Sequence, residues 1–534
     1  MNMRLSTIGS ARSKLRLLRG LTVILAASMA LALNACSANG SSGPANGSSR
    51  PATPSLKIGL SSEPPMLKAG ADQGTAAEIL NSIMQRGLLS YDDNGQLVNA
   101  LAESHKQVDP TTMEFHLRKG LTFQDGSPLT SKNVKQTLEY LADPANSARD
   151  FSAMSDISLI ETPDDTTVII KLKSPNAAFL EYLAEPAAGI VPESALKNGA
   201  ANTVGAGPFK LSDYQKGVAM TFVKFDGYYD ASEVKLNNLK VDFYPDGQAR
   251  TNALRNGDVD LIDYVPWENF DVIKSDSNLV LDSQPGTFMY LVFNISKKGP
   301  FANPKVREAV AYAVDRNKIV QSVFSGYGKA LGGMPIPESS PFYDASRTST
   351  WKFDPRKAKE LLAEAGYPNG FDATILASSQ YAFHQDTAVS VQADLKAVGI
   401  NLKLDSPDWA TRIQKGNAGD YDVAVNGTGG IVNDPSFLAD LLIGPPSYRR
   451  PFGYQDQETT DLLAKGTSTL DTKTRKQIYA ELENHLLQTA PIVSLTTREQ
   501  GFAYNKNVKG FKNLPGFLSF YSGYSLAGTS IASN

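Results

Sequence analysis

The chain has 534 residues, with 52 Lys and Arg against 55 Asp and Glu, a formal charge of -3 and a single cysteine, Cys36. That length allows roughly two to four domains with full cores. A slightly acidic chain without a basic run is a poor nucleic-acid binder, and one thiol excludes a disulfide framework or a cysteine-based zinc site.

The first twenty residues hold Arg4, Arg12, Lys14, Arg16 and Arg19 and no acid; Leu21 to Leu33 then reads LTVILAASMALAL. That apolar run suits a signal-peptide core and is too short to span a bilayer comfortably. The step Leu33-Asn34-Ala35-Cys36 resembles a bacterial lipobox, which implies removal of residues 1–35 and lipidation at Cys36. Ser37 to Ser55 is nearly all Ser, Gly, Ala, Asn and Pro. It reads, with Cys36, as a flexible lipid-anchored tether over 36–55, with a root-mean-square reach of about 24 Å. No later stretch approaches the roughly 18 apolar residues of a membrane span.

From Leu56 onward strands and helices alternate, which predicts mixed α/β domains. Leu56 to Leu60 is a strand, ending at Pro64-Pro65. Thr75 to Leu88 places Ile79, Leu80, Ile83 and Met84 on one helix face. The Asn-Gly in YDDNGQL (91–97) reverses the chain. Glu114 to Leu117 alternates as a strand, Asp125-Gly126 turns, and Ser131 caps a helix bearing Val134, Leu138 and Leu141. Thr166 to Leu172 is a β-branched strand.

Farther on, Asn303-Pro304 and Asp354-Pro355 each supply a cap and a first-turn proline. Val391, Leu395 and Val398 form a stripe closed by Gly399 before the strand INLKL (400–404). Thr472 to Thr489 is a long helix with Ile478, Leu482 and Leu486 inward. The Gly-rich NGTGG (426–430) follows the strand-like YDVAV but lacks the continuation of a dinucleotide site.

Local enzyme signatures are missing. The four histidines, His105, His116, His384 and His485, form no close pair, so no HExxH or other local metal motif exists. There is no phosphate loop and no G-x-S-x-G elbow. No catalytic residue, resident metal or cofactor is expected.

Five ordered blocks carry a resemblance: GLLSYDDNGQLVNALAES (87–104), FHLRKGLTFQDGSPLTSKNV (115–134), VGAGPFKL (204–211), RNGDVDLI (255–262) and FNISKKGPFANPKVREAVAYAVDRNKIV (293–320). Together they are similar to the peptide/nickel class of extracellular solute-binding proteins, family 5, that serve ABC importers. The likeness runs from about Leu56 to about Leu526. It implies an α/β fold of the two-lobed periplasmic-binding-protein type (type II, cluster C) with an extra N-terminal subdomain. Lobe one would comprise 56–83, 204–286 and 501–534, the subdomain 84–203, and lobe two 287–500. The chain would cross between lobes near Pro285-Gly286 and near Gly501, and closure over a ligand would be the working motion. Within this frame Asn294 is expected to bond backbone groups beyond its strand, and Arg307 and Asp315 to share a helix face as an ion pair or caps.

The resemblance also places Glu63, Thr75, Tyr290, Tyr381, Trp409, Thr428 and Asp434 on cleft-facing segments. Dipeptide binders of the family hold the ligand ammonium with an aspartate just before an Asp-Pro step, and its carboxylate with an arginine on another segment. Here Asp434-Pro435 is preceded by GTGGIVN without an acid, and SSQYAFH (378–384) has no arginine. The expected grip is therefore by backbone, aromatic and neutral polar groups. The resulting expectation is a monomeric, lipid-anchored, extracytoplasmic receptor that captures oligopeptides and delivers them to permease subunits. A nickel or other metal chelate and a sugar-like solute are alternative ligands in the same role; a secreted hydrolase and a surface adhesin or chaperone are readings of other classes.

Overall fold

Two strands far longer than the rest organise the structure. In the computed structural model, which describes residues 54–64, 67–71, 74–197, 203–296, 299–338 and 340–532, Leu279–Phe293 pairs antiparallel with Ile492–Asn505. They are 15 and 14 residues long, against a usual strand of about five or six. Phe288 to Phe293 reads FMYLVF because this half is buried on both faces. The pairing shifts register between Pro285 and Thr287, where Gly286 has φ 146°. A Cβ on Gly286 would lie 2.5 Å from the Gly516 carbonyl carbon, which no side chain tolerates.

These two strands are the centre of an eleven-stranded sheet. On one side follow Val423–Thr428, Phe371–Leu376 and Ile400–Asp405; on the other Leu261–Ile262, Ser55–Leu60, Asn238–Phe243, Ala219–Lys224 and Phe209–Gln215. Gly328–Ala330 pairs beside Ile492–Asn505. Ser55–Leu60 is parallel to both neighbours and Phe371–Leu376 to both of its own, so each half contains crossover connections. A separate antiparallel sheet orders Ala102–Asp109, Thr112–Leu117, Thr167–Leu172 and Ile157–Glu161. Phe115, Val168 and Ile170 alternate inward against Val134 and Leu138 of the helix Ser131–Ala142.

Two large apolar cores and one small one follow among the described residues. One large core joins Leu56, Ile58 and Leu60 to Ile79, Ile83, Phe222 and Val241; the other includes Leu291, Val310, Val391 and Leu482. The mixed α/β architecture and the long helix Thr472–Thr489 match the sequence expectation. Asn303 and Asp354 cap as expected, accepting from the Lys305 amide and from the Arg356 and Lys357 amides. Asn294 likewise donates to the Gly419 carbonyl at 2.6 Å and accepts from the Ser296 amide.

Four local readings differ. The first helix stops at Met84, because the chain must turn to pass Gly87 against the Leu183 carbonyl. The cap of Ser131–Ala142 is Thr130, whose amide donates to Asn133 Oδ1, while Ser131 Oγ donates to the Asp164 carbonyl. Arg307 and Asp315 share no helix face, since Pro304–Ala313 ends between them. Asp315 caps Arg316–Phe324, and Arg307 donates to the Thr489 and Ala490 carbonyls at 2.6 and 2.9 Å, closing the end of the long helix. Finally, the strand Val423–Thr428 runs through part of NGTGG, with Gly427 packed so close that a Cβ would lie 2.6 Å from Met289 Sδ. Among the described residues no helix is long and apolar enough to cross a membrane. Residues 1–53, which hold the expected signal segment, Cys36 and most of the expected tether, lie outside the described residues, and Ser55, its expected last residue, begins a strand.

Candidate ligand-binding site

A cavity of about 550 Å³, counted out to its mouth, opens where distant segments converge. The start of the helix Thr75–Met84 supplies Thr75 and Glu78; Tyr264 follows the strand Leu261–Ile262; Phe520 comes from the 3-10 segment Gly516–Ala527. Facing them are Tyr381, Phe383 and His384 at the start of Ala382–Lys396, then Trp409 and Thr428. Asp408 caps Trp409–Ala418, accepting from the Thr411 amide at 3.0 Å, which sets Trp409 at the first helical position. The backbone bond from Thr411 and its hydroxyl hold the Asp408 carboxyl below its ordinary range.

The aromatic rings brace one another. Trp409 meets Tyr381 edge-on at 5.2 Å and Tyr448 at 5.7 Å between centroids. Tyr264 stacks on Phe383 and Phe520 at 6.2 and 6.3 Å. Such contacts fix ring planes and leave a wall that a ligand can slide against.

Behind that wall lie two guanidinium groups. Arg412 is wholly buried, 5.3 Å from the Trp409 ring and 5.1 Å from the Tyr448 ring, and donates to the Val425 carbonyl at 2.7 Å and to the Asn426 side chain. Arg498, 1% exposed, sits 4.9 Å from the Phe383 ring and donates to Gln500 and to the Tyr264 hydroxyl. Burial lowers the Arg412 pKa, yet arginine stays charged. Burial first, then the charges of Arg412 and Arg498, hold the His384 pKa well below its ordinary value, so its imidazole is neutral. His384 Nδ1 is buried without a hydrogen-bond partner among the described residues.

Across the cavity Arg149 is bonded to Glu78, donates to the Tyr521 hydroxyl at 3.0 Å and lies 3.7 Å from Glu185. Asp150 and Glu185 are also buried there. Burial, against the pull of Arg149 and with the push of Glu78, raises Asp150 to about 7 and pushes Glu185 well above the carboxylate range.

Of the residues singled out in sequence, Thr75, Tyr381, Trp409 and Thr428 line this cavity. Tyr290 lies inside the long strand, fully buried, its hydroxyl donating to the Arg449 carbonyl at 3.1 Å. Glu63 sits at the outer hairpin, accepting from the Tyr214 hydroxyl and the Gly217 amide. Asp434 is buried outside the lining, bonded by Arg475 at 2.7 Å and capping Pro435–Phe437. Sequence reasoning did not select Arg149, Tyr264, His384, Tyr448, Arg449 or Phe520, all of which line the cavity. The available signal was the segment SSQYAFH (378–384), which ends at His384.

Comparison with known proteins bears on this geometry. The family model for bacterial extracellular solute-binding proteins, family 5 Middle, matches residues 96–448. The glutathione-binding protein GsiB of Escherichia coli (strain K12) is 30% identical over 458 residues, covering 83% of this chain and 88% of the relative. The structure of the PBP AgaA from A. tumefacien R10, in complex with agropinic acid, superposes with a TM-score of 0.86 at 40% identity, covering 90% of this chain and 99% of that one. The periplasmic binding protein DppA from Helicobacter pylori, in complex with peptide STSA, shares the fold with a TM-score of 0.80 at 23% identity, covering 90% and 98%. The mixed α/β fold is that of periplasmic binding proteins.

Proposed function

Because the chain belongs to the bacterial extracellular solute-binding proteins of family 5, the substrate-binding components of ABC importers, we propose that its cavity captures a short peptide, or a solute of that size, and delivers it unaltered to the permease. The observation that carries this reading is the mixed origin of the wall. We place lobe one at 56–83, 204–286 and 501–534, its subdomain at 84–203 and lobe two at 287–500. On that division Thr75, Tyr264 and Phe520 belong to lobe one, Arg149 to the subdomain, and Tyr381, Trp409 and Thr428 to lobe two. A solute in the cavity touches both lobes at once only when they are together. That differential contact shifts the population toward the closed form.

The ligands named for two relatives support a small one. GsiB is named for glutathione and AgaA was captured with agropinic acid, both compact solutes. Titration calorimetry with a peptide-length series, followed by X-ray scattering, tests the reading. Binding of the short members with a smaller radius of gyration and unchanged ligand mass supports it; a rigid protein, or a consumed ligand, overturns it.

The step Leu33-Asn34-Ala35-Cys36 supports a lipid anchor at Cys36 on the outer face of the cell membrane. Mass spectrometry of the mature N-terminal peptide checks this, and an unmodified cysteine refutes it.

A further inference from the structure

Two buried guanidinium groups back the Trp409 end of the cavity. Arg149 and Arg449 stand in its lining, and Arg412 and Arg498 lie one aromatic ring behind it. Buried charges are ordinarily paired with a counter-charge. Among the described residues no carboxylate pairs with Arg412 or Arg498; their partners are carbonyls, an amide side chain, a hydroxyl and ring faces. Ring faces offset part of that cost. The only carboxylate in the described lining, Glu78, is engaged by Arg149. Asp150 and Glu185 lie behind it, clustered with Glu78 around Arg149, so the charge at that end is already answered.

A second observation points to a ligand at the same end. His384 is 2% exposed, forms part of the wall beside Trp409, and leaves Nδ1 without a partner among the described residues. The ring's one N–H serves the Val425 carbonyl, so Nδ1 is an acceptor, and a donor on a bound solute, such as an acyl-amide N–H, would complete it.

Taking the receptor reading as its basis, we infer that the ligand is an anion: a small solute whose carboxylate faces Arg449 and the Trp409–Arg412 wall, and whose affinity owes nothing to a free ammonium group. The missing counter-charge for two buried guanidiniums is then the ligand itself. A zwitterionic dipeptide gains only half of its usual grip, because its ammonium meets a carboxylate already taken. Acylated amino acids, dicarboxylates and acidic conjugates gain the whole of it.

The test pairs acids with their neutral counterparts on the mature protein. N-acetylglutamate, N-succinylglycine and glutathione are compared with their amides or diesters, and alanylalanine amide serves as the cationic probe. Thermal shift and Trp409 fluorescence report affinity; X-ray scattering reports compaction. We expect the acids to bind about tenfold or more tightly than their neutral partners, a charge-assisted margin. N-acetylation is expected to leave affinity within about threefold. Arg449→Gln lowers affinity for the acids and Arg449→Lys recovers part of it. Should either variant fold poorly, the acid-against-amide comparison on the unaltered chain still decides. Equal or tighter binding of the amides or of the cationic probe, or no binding by any acid, overturns the inference. Compaction by neutral members sinks the anion and leaves the receptor intact; acids that bind without compaction do the reverse.

Discussion

Asp150 shows how one buried group sets a solvent dependence. Its carboxyl faces Arg149, Glu78, Glu185 and Asp440, and burial outweighs the arginine to raise it from 3.8 to about 7. Between those values the folded chain holds a proton that the unfolded chain has released. Stability contributed by this group therefore falls as pH rises through that window, and the loss is complete above about 7. Glu181, also raised to about 7 by burial and by Asp434, acts in the same direction. Asp150→Asn is expected to flatten the fall of Tm measured from acid to neutral pH; an unchanged or steeper slope contradicts the assignment. None of this was legible in the chain, because Glu78, Asp150, Glu185 and Asp440 come from separate segments. Site residues on segments that the family resemblance marked fared better: Thr75, Tyr381, Trp409 and Thr428 were selected, whereas Tyr264, Arg149 and Phe520 reach the cavity only through the fold.

At the scale of elements, punctuation was readable and pairing was not. Asn303-Pro304 and Asp354-Pro355 opened helices as their chemistry dictates. Only the apolar end of the first long strand, before Asn294, was readable; its full length and its pairing were not, because partners such as Leu291 and Val493 are far apart in the chain. The 3-10 segment Gly516–Ala527 was equally hidden: Ser519, Ser522 and Ser525 repeat at the three-residue period, and Ser522 and Ser525 return hydrogen bonds to carbonyls three residues back. One short element bears directly on binding. Asp408 anchors the start of Trp409–Ala418, so Asp408→Ala frees the first turn and the indole it carries. Ligand affinity measured by calorimetry should fall while the circular dichroism spectrum is retained; unchanged affinity would remove Asp408 from the positioning of Trp409.

Across the whole molecule, contacts join the small-sheet region to the 431–467 stretch. Ser152 Oγ donates to Asp440 at 2.6 Å, the Asn433 amide donates to Glu181 at 3.0 Å, and the Ala177 amide donates to the Thr467 carbonyl at 3.0 Å. Under the proposed lobe division these bonds hold the closed form and break on opening. Ser152→Ala leaves a buried carboxylate short of a donor in the closed form alone, at a cost of about 1–3 kcal/mol. It should enlarge the ligand-free protein in X-ray scattering and weaken binding; identical scattering would show that this bond persists in both forms.

The break in the central ladder at Pro285 and Gly286 has a mechanical consequence. Pro285 has no amide to donate, and Gly286 drops out of the register while pressed against Gly516. The ladder of Leu279–Phe293 against Ile492–Asn505 continues on either side; its second shift, between Met289 and Tyr290, lies where Val423–Thr428 also pairs and braces it. Torsion concentrates at the break that Val423–Thr428 leaves unbraced, so the lobes should twist about this soft link instead of swinging on two slack tethers. Gly286→Ala jams that link by steric overlap, and deuterium uptake by the amides around it should then no longer respond to ligand.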